Sequence, residues 1–130
     1  MNGRRAPTTA EIEALAGQAL KTIPAGLRRQ LGPLVIRVED FPDEETEAEM
    51  GLDSPFDLLG LYRGVALPHK SVTSVSAEPD MVFLYRRPIL DYWCESDDTL
   101  EAVVRHVLIH EIGHHLGFSD EDMERIEAEG

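Results

Sequence analysis

The chain has 130 residues, 12 of them basic and 25 acidic, so its formal net charge is −13 at neutral pH. This length allows one hydrophobic core and a single domain over residues 1–130, but not two domains. The negative charge repels polyanions and argues against nucleic acid as a partner, and the single cysteine, Cys94, excludes an internal disulfide.

The N-terminal segment lacks the apolar stretch of a secretion signal. Residues 1–7 include Arg4 and Arg5, but a charged amphipathic segment follows them, and the chain has no run of about 18 apolar residues. We therefore expect residues 1–7 to be disordered, the protein to be cytoplasmic, and membranes not to be partners.

Helix and strand patterns begin after this tail. Thr8 and Glu11 have the spacing of a capping box, and apolar residues then repeat at helical intervals up to Pro24, which predicts a first helix. Leu34–Glu39 alternates apolar and other residues, which predicts a half-buried strand. The acidic stretch from Phe41 to Met50 predicts a solvated loop or a short surface helix rather than a cation site.

Two more strands are predicted in the middle of the chain, at Leu58–Tyr62 and Met81–Tyr85. The second has the continuous apolar run of a central strand buried on both faces. The segment from Val65 to Asp80 lies between them, and its composition fits either an edge strand lining a cleft or a loop. Pro88–Glu95 is predicted to be a turn or short helix.

A long amphipathic helix is predicted next, capped by Asp98 with Glu101 and running to about Leu116. A short last helix is predicted at Glu121–Glu129. The apolar residues of the long helix recur at helical spacing: Leu100, Val103, Val104, Val107 and Leu108.

The end of the long helix carries the motif H-E-x-x-H-x-x-G-x-x-D, which begins at His110. Residues four apart on a helix share one face about 6 Å from each other, so His110 and His114 are candidate ligands of one metal ion. Glu111 is the candidate general base for a metal-activated water. Gly117 can reverse the chain after the helix, which makes Asp120 the candidate third ligand. This set predicts one zinc ion per chain.

The motif resembles that of the metzincin zinc peptidases, with Asp120 where many members have a third histidine. More narrowly, the chain is similar to a family of small bacterial zincin-like metallopeptidases, and this resemblance extends to Asp57–Gly64, Met81–Pro88 and Ser119–Met123. It implies an α+β fold in which a small mixed sheet packs on the active-site helix, with an N-terminal helix and a short C-terminal helix. It also implies that the histidines and aspartate of the motif hold zinc and that its glutamate is the base.

Two further histidines lie near the motif. His106 is one turn before His110 and is a candidate to contact the ligands, although an ordinary core or surface histidine is the favoured interpretation. His115 is one turn after Glu111 and is a candidate to orient that carboxylate. Its rotation of about 100° from His114 places it poorly for a fourth ligand.

Other side chains are candidates for supporting roles. Met123 fits a position beneath the metal, but packing beside Ile126 on the last helix is the favoured interpretation. Tyr62, Tyr85 and Tyr92 are candidates to stabilise a developing oxyanion or contact a substrate, and the sequence does not choose among them.

The sequence thus predicts a zinc-dependent metallopeptidase that hydrolyses extended or unfolded peptide segments. No second subdomain forms a far cleft wall, so a partner protein that completes the cleft is a further expectation. One alternative is a zinc-binding interaction module without catalysis. A metal-dependent endoribonuclease of metzincin-like fold is less favoured, because Glu111 supplies a peptidase base and the net charge argues against RNA.

Overall fold

The described part of the chain, residues 5–64 and 79–129 of a computed structural model, contains six α-helices, one 3₁₀ turn and three strands. Helix α1 (Thr9–Thr22) begins at the predicted capping box. The Thr8 hydroxyl accepts a hydrogen bond from the Glu11 backbone N–H, and the Glu11 carboxylate accepts one from the Thr8 N–H. The predicted first helix is therefore confirmed. Its buried residues are Ile12, Ala16 and Ala19.

The three strands form one mixed sheet in the order β1-β3-β2. Strand β1 (Leu34–Glu39) runs parallel to β3 (Asp80–Tyr85), and β2 (Gly60–Arg63) runs antiparallel to it. The predicted central strand is confirmed, but burial is complete only on the face of Val82 and Leu84, while Met81 and Phe83 on the other face are half-buried. Strand β2 begins two residues later than predicted and lies at one edge of the sheet.

Short helices connect these elements. Helix α2 (Ala25–Arg28) follows α1, and α3 (Glu44–Met50) is the predicted short surface helix of the acidic stretch. A 3₁₀ turn (Pro55–Asp57) precedes β2, and α4 (Arg86–Glu95) follows β3 directly. The segment predicted as a turn or short helix is thus a helix that begins two residues earlier.

Helix α5 (Leu100–Leu116) carries the motif. Its predicted cap was wrong by one residue, because the Thr99 side chain accepts the hydrogen bond from the Ala102 N–H at 3.1 Å. The Asp98 carbonyl instead accepts a bond from the Trp93 indole. The helix ends as predicted at Gly117, which has φ 80° and ψ 21°. Helix α6 (Asp120–Glu129) then closes the described chain.

The core lies between the sheet and the helices α1 and α5, which pack on one of its faces. The chain is therefore a single α+β domain, as predicted. Its fully buried large apolar side chains come from five elements and are Ile12, Val82, Leu84, Ile89, Val103, Val104, Leu108 and Met123.

Some predictions concern residues outside the described part. The choice between an edge strand and a loop falls largely on residues 65–78, and the predicted disordered tail includes residues 1–4. Within that tail, the Pro7 carbonyl accepts a 2.6 Å hydrogen bond from Arg86. No helix in residues 5–64 or 79–129 combines the length and apolarity that crossing a bilayer requires.

Candidate metal centre

Helix α5 carries a stripe of three histidines at intervals of four residues: His106, His110 and His114. Each interval of four residues advances about 40° around the helix, so the three imidazoles lie along one slowly turning face. The ring centroids of His106 and His110 are 4.1 Å apart, and those of His110 and His114 are 6.0 Å apart with perpendicular planes. The two histidines of the motif therefore share one face, as the spacing predicts.

The surroundings of His110, the central histidine of the stripe, favour its neutral form. Burial lowers the pKa of His110, the neighbouring His106 lowers it further, and the carboxylates of Glu127 and Asp120 act in the opposite direction. A neutral imidazole nitrogen has the free lone pair that a transition metal requires. His110 is therefore suited to be a ligand.

Glu127 of helix α6 joins this stripe. Its Oε1 lies 2.6 Å from Nδ1 of His106 and 3.5 Å from Nε2 of His110. The potential ligand atoms of these three residues all lie within 4.8 Å of one another, so they are a candidate metal-binding group. Sequence reasoning missed Glu127, although its place four residues after the buried Met123 puts it on the α6 face that meets α5.

The predicted ligand set is arranged differently. His110 and His114 share a face, while Asp120 is the first residue of α6 and acts on His110 through its charge. Among the residues that the structure describes, the potential ligand atoms of these three do not all lie within 4.8 Å of one another, whereas those of the triad His106, His110 and Glu127 do. The turn at Gly117 occurs as expected, and the role of Asp120 as a ligand stays a prediction.

The carboxylate of Glu111 reaches the edge strand β2. Its Oε1 accepts a 3.2 Å hydrogen bond from the backbone N–H of Tyr62. Burial raises the pKa of Glu111, while the His114 charge and the Tyr62 hydrogen bond lower it. A carboxylate whose affinity for a proton is raised in this way is suited to general base chemistry.

The amide that Glu111 contacts lies on the side of β2 that faces away from β3, where no strand of residues 5–64 and 79–129 pairs with it. The Leu59 carbonyl accepts a hydrogen bond from Tyr85 N–H at 2.9 Å, which makes these two residues a hydrogen-bonded antiparallel pair. Because such pairs alternate along a ladder, the backbone groups of Gly60 and Tyr62 point away from β3. Glu111 therefore lies beside the side of β2 that β3 does not pair, and it accepts the Tyr62 N–H itself.

A group of three side chains holds this edge against α5. The Tyr62 ring stacks on His115 at 3.9 Å with an interplanar angle of 14°. The Tyr62 hydroxyl donates a 2.7 Å hydrogen bond to Asp80, and burial together with this bond raises the tyrosine pKa. His115 Nε2 lies 3.7 Å from the same carboxylate oxygen of Asp80. His115 thus contacts Tyr62, the residue whose backbone N–H binds Glu111. Sequence reasoning did not anticipate the part that Asp80 plays in this group.

The other candidates for supporting roles, Met123 and the tyrosines, lie in different parts of the fold. Met123 is fully buried in the core, against which Ile126 packs, and its position relative to a metal stays a prediction. A Cβ added to Gly113 would meet the Sδ of Met123 and lie 2.7 Å from the Met123 Cγ. Helix α6 therefore approaches α5 at the position where the motif has a glycine. Tyr85 stacks on Phe83 and lines a cavity with Arg63, away from the histidine stripe, and burial raises its pKa to about 12. Of the three candidate tyrosines, Tyr62 is the one whose backbone contacts Glu111.

Comparison with known proteins gives one family. The model of a family described as zincin-like metallopeptidases matches residues 31–129, which span every element from β1 to α6. The comparison with curated proteins finds no match.

Proposed function

Because the chain belongs to the zincin-like metallopeptidase family, we propose that it is a zinc-dependent peptidase that hydrolyses extended or unfolded segments. The observation that supports this best is the position of Glu111, a partly buried carboxylate with a raised pKa beside the edge of β2 that no strand in the described part of the chain pairs. A peptidase base has to meet the scissile bond, and a free strand edge can hold that bond in extended form.

The donor chemistry fits zinc. The α5 stripe supplies imidazoles on one face, and the motif provides a carboxylate after the Gly117 turn. In this proposal His110, His114 and Asp120 hold one zinc ion per chain. Zinc held there would supply Lewis acidity, which activates water and polarises a peptide carbonyl.

The protein residues perform the remaining tasks. The Tyr62 N–H is bound to Glu111, so the outward backbone groups of Gly60 and the Tyr62 carbonyl would pair with a substrate strand, as in other cases of strand addition. Glu111 takes a proton from the attacking water and returns it to the leaving amine. The stacked Tyr62 and His115, with Asp80, keep the edge strand in register with the base.

Substrate and partners follow from shape and charge. In this proposal the site is a one-sided groove that accepts a peptide strand and excludes folded proteins. A net charge of −13 favours basic peptides over acidic ones and disfavours nucleic acid. A partner protein that forms the second wall of the cleft belongs to this proposal, as does a cytoplasmic location.

The test separates the base from the metal ligands. Glu111→Gln keeps the size of the side chain and an oxygen that can accept the Tyr62 hydrogen bond, but it removes the proton acceptor. We expect zinc content by elemental analysis and thermal stability to match wild type, while chelator-sensitive cleavage of an unfolded protein is lost.

Glu124→Gln is the matched control, since it makes the same substitution at an exposed position of α6. It should cleave at the wild-type rate. Cleavage by Glu111→Gln within a few-fold of wild type would refute Glu111 as the base. A zinc-loaded wild-type protein that cleaves no peptide would instead favour the non-catalytic zinc-binding module.

A further inference from the structure

We propose that His106, His110 and Glu127 form a second zinc site that shares His110 with the proposed catalytic ligand set and competes with it for the ion. The site itself stands on the geometry of α5 and α6, and only the competition rests on the proposed function. Its ligands are two imidazoles and one carboxylate, a set that zinc accepts in proteins.

The distances from Glu127 Oε1 to the two imidazole nitrogens are close to those around a tetrahedral ion. Zinc bonds to nitrogen and oxygen of about 2.1 Å place neighbouring ligand atoms about 3.4 Å apart. The Glu127 Oε1 to His110 Nε2 distance is 3.5 Å, which already matches. The Glu127 Oε1 to His106 Nδ1 distance is 2.6 Å, so binding requires this pair to open by less than about 1 Å. A small rotation of an imidazole that is 46% exposed provides that movement.

The carboxylate oxygen at the centre of the triad makes no hydrogen bond of normal geometry within the described residues. This atom, Oε1 of Glu127, is shielded from solvent, although it lies at ion-pair distance from His106. The polar neighbours of this buried oxygen are therefore the imidazole nitrogens of His106 and His110, which replace part of its lost hydration. A cation bound between Glu127 and the two histidines supplies the missing interaction.

The fold holds Glu127 in place. The guanidinium group of Arg105 on α5 donates hydrogen bonds to the carbonyl oxygens of Ile126 and Glu127 at 3.3 and 3.0 Å, and a third to the Thr22 hydroxyl of α1 at 2.9 Å. These bonds fix the last turn of α6 against α5. The packing of Met123 on Gly113 fixes the same helix one turn earlier, so Glu127 is positioned from two sides.

Sharing of His110 makes the two sites exclusive. Nε2 of His110 faces Glu127. In this proposal the catalytic set uses the same nitrogen, and one ring nitrogen binds one ion at a time. An ion held by the triad is displaced toward His106, away from His114 and from Glu111. The triad is therefore an inactive location for zinc, and its occupancy lowers peptidase activity without changing the zinc content of the chain.

The experiment is calorimetric titration of the metal-free full chain with zinc chloride. His114→Ala removes a ligand of the catalytic set and leaves the triad intact, so we expect it to bind one zinc. Adding Glu127→Gln or His106→Ala to that variant should weaken zinc binding by about tenfold or more. Glu124→Gln in the same background is the matched control and should not change the affinity. Circular dichroism and thermal unfolding verify that each variant is folded.

The outcomes separate the two proposals. If His114→Ala binds no zinc, or if Glu127→Gln and His106→Ala leave its affinity unchanged, the triad is refuted while the catalytic ligand set stands. If wild type binds two zinc ions, the sites are not exclusive and the competition is refuted. If His114→Ala binds as tightly as wild type while His106→Ala alone abolishes binding, the triad is supported and the proposed catalytic set is overturned.

Discussion

Substitution of Gly113 by alanine probes how closely α6 approaches the motif. Gly113 lies inside α5 between the two motif histidines, and an added Cβ would meet the Sδ of Met123 and lie 2.7 Å from its Cγ. Met123 is fully buried, so its side chain has little free space into which to move. The added methyl group therefore overpacks the contact between the two helices.

The expected free-energy change has two opposing parts. Alanine in a helix interior is favoured over glycine by about 1 kcal/mol. Overpacking of a buried contact costs about 1–3 kcal/mol. We expect Gly113→Ala to lower the free energy of unfolding by up to about 2 kcal/mol. In a Met123→Ala background, which itself costs about 2–5 kcal/mol, the same substitution should be neutral or stabilising because the obstructing side chain is gone.

Urea unfolding of the four variants of this double-mutant cycle measures the coupling, for which we expect about 1–3 kcal/mol. Gly17→Ala is the matched control, since it lies within α1 and its added Cβ meets no atom within 4 Å. It should stabilise the protein by up to about 1 kcal/mol. If Gly113→Ala stabilises as much as Gly17→Ala, or if its effect is the same with and without Met123, the close approach of α6 is refuted.

Three further predictions concern local features. Thr99→Ala should lower the free energy of unfolding by about 1 kcal/mol through loss of the α5 cap, while Asp98→Ala changes it by less than about 0.5 kcal/mol in the same urea assay. Hydrogen bonds from the side chain and backbone of Thr46 lower the pKa of Asp43 below its usual 3.8, so its contribution to stability is present above pH 3.8 and lost as the pH falls through the folded value. Asp43→Asn should accordingly lose less stability on acidification than wild type, and equal losses in urea midpoint would contradict this. Gly60→Ala should destabilise by about 1–3 kcal/mol by thermal or urea unfolding, because its Cβ would lie 2.8 Å from a side-chain methyl group of α5 and 3.2 Å from a backbone oxygen of β3.

Sequence reasoning was most accurate where the signal is local. The capping box of Thr8 and Glu11, the alternation along Leu34–Glu39 and the apolar run at Met81–Tyr85 each predict an element that the structure contains. The one wrong cap shows the limit of such signals. Aspartate and threonine are both favoured at a helix start, and the packing of the preceding turn placed Thr99 rather than Asp98 at the cap.

The motif also shows what spacing alone can predict about the site. The helical repeat places His110 and His114 on one face, and Gly117 takes the left-handed conformation that ends the helix. These follow from backbone geometry within one segment. The position of Asp120 relative to the histidines does not, because it depends on the direction in which α6 leaves the turn.

The sequence by itself determined the helix that carries the motif, the shared face of its histidines and the family to which these residues point. Only the tertiary structure decided that Glu127 meets His106 and His110, and that the Tyr62 amide of an edge strand meets Glu111. The physical reason is the separation along the chain over which each kind of interaction acts. Capping and periodicity act between residues a few positions apart, whereas these contacts join separate elements whose approach is set by packing across the core, as by Met123 against Gly113.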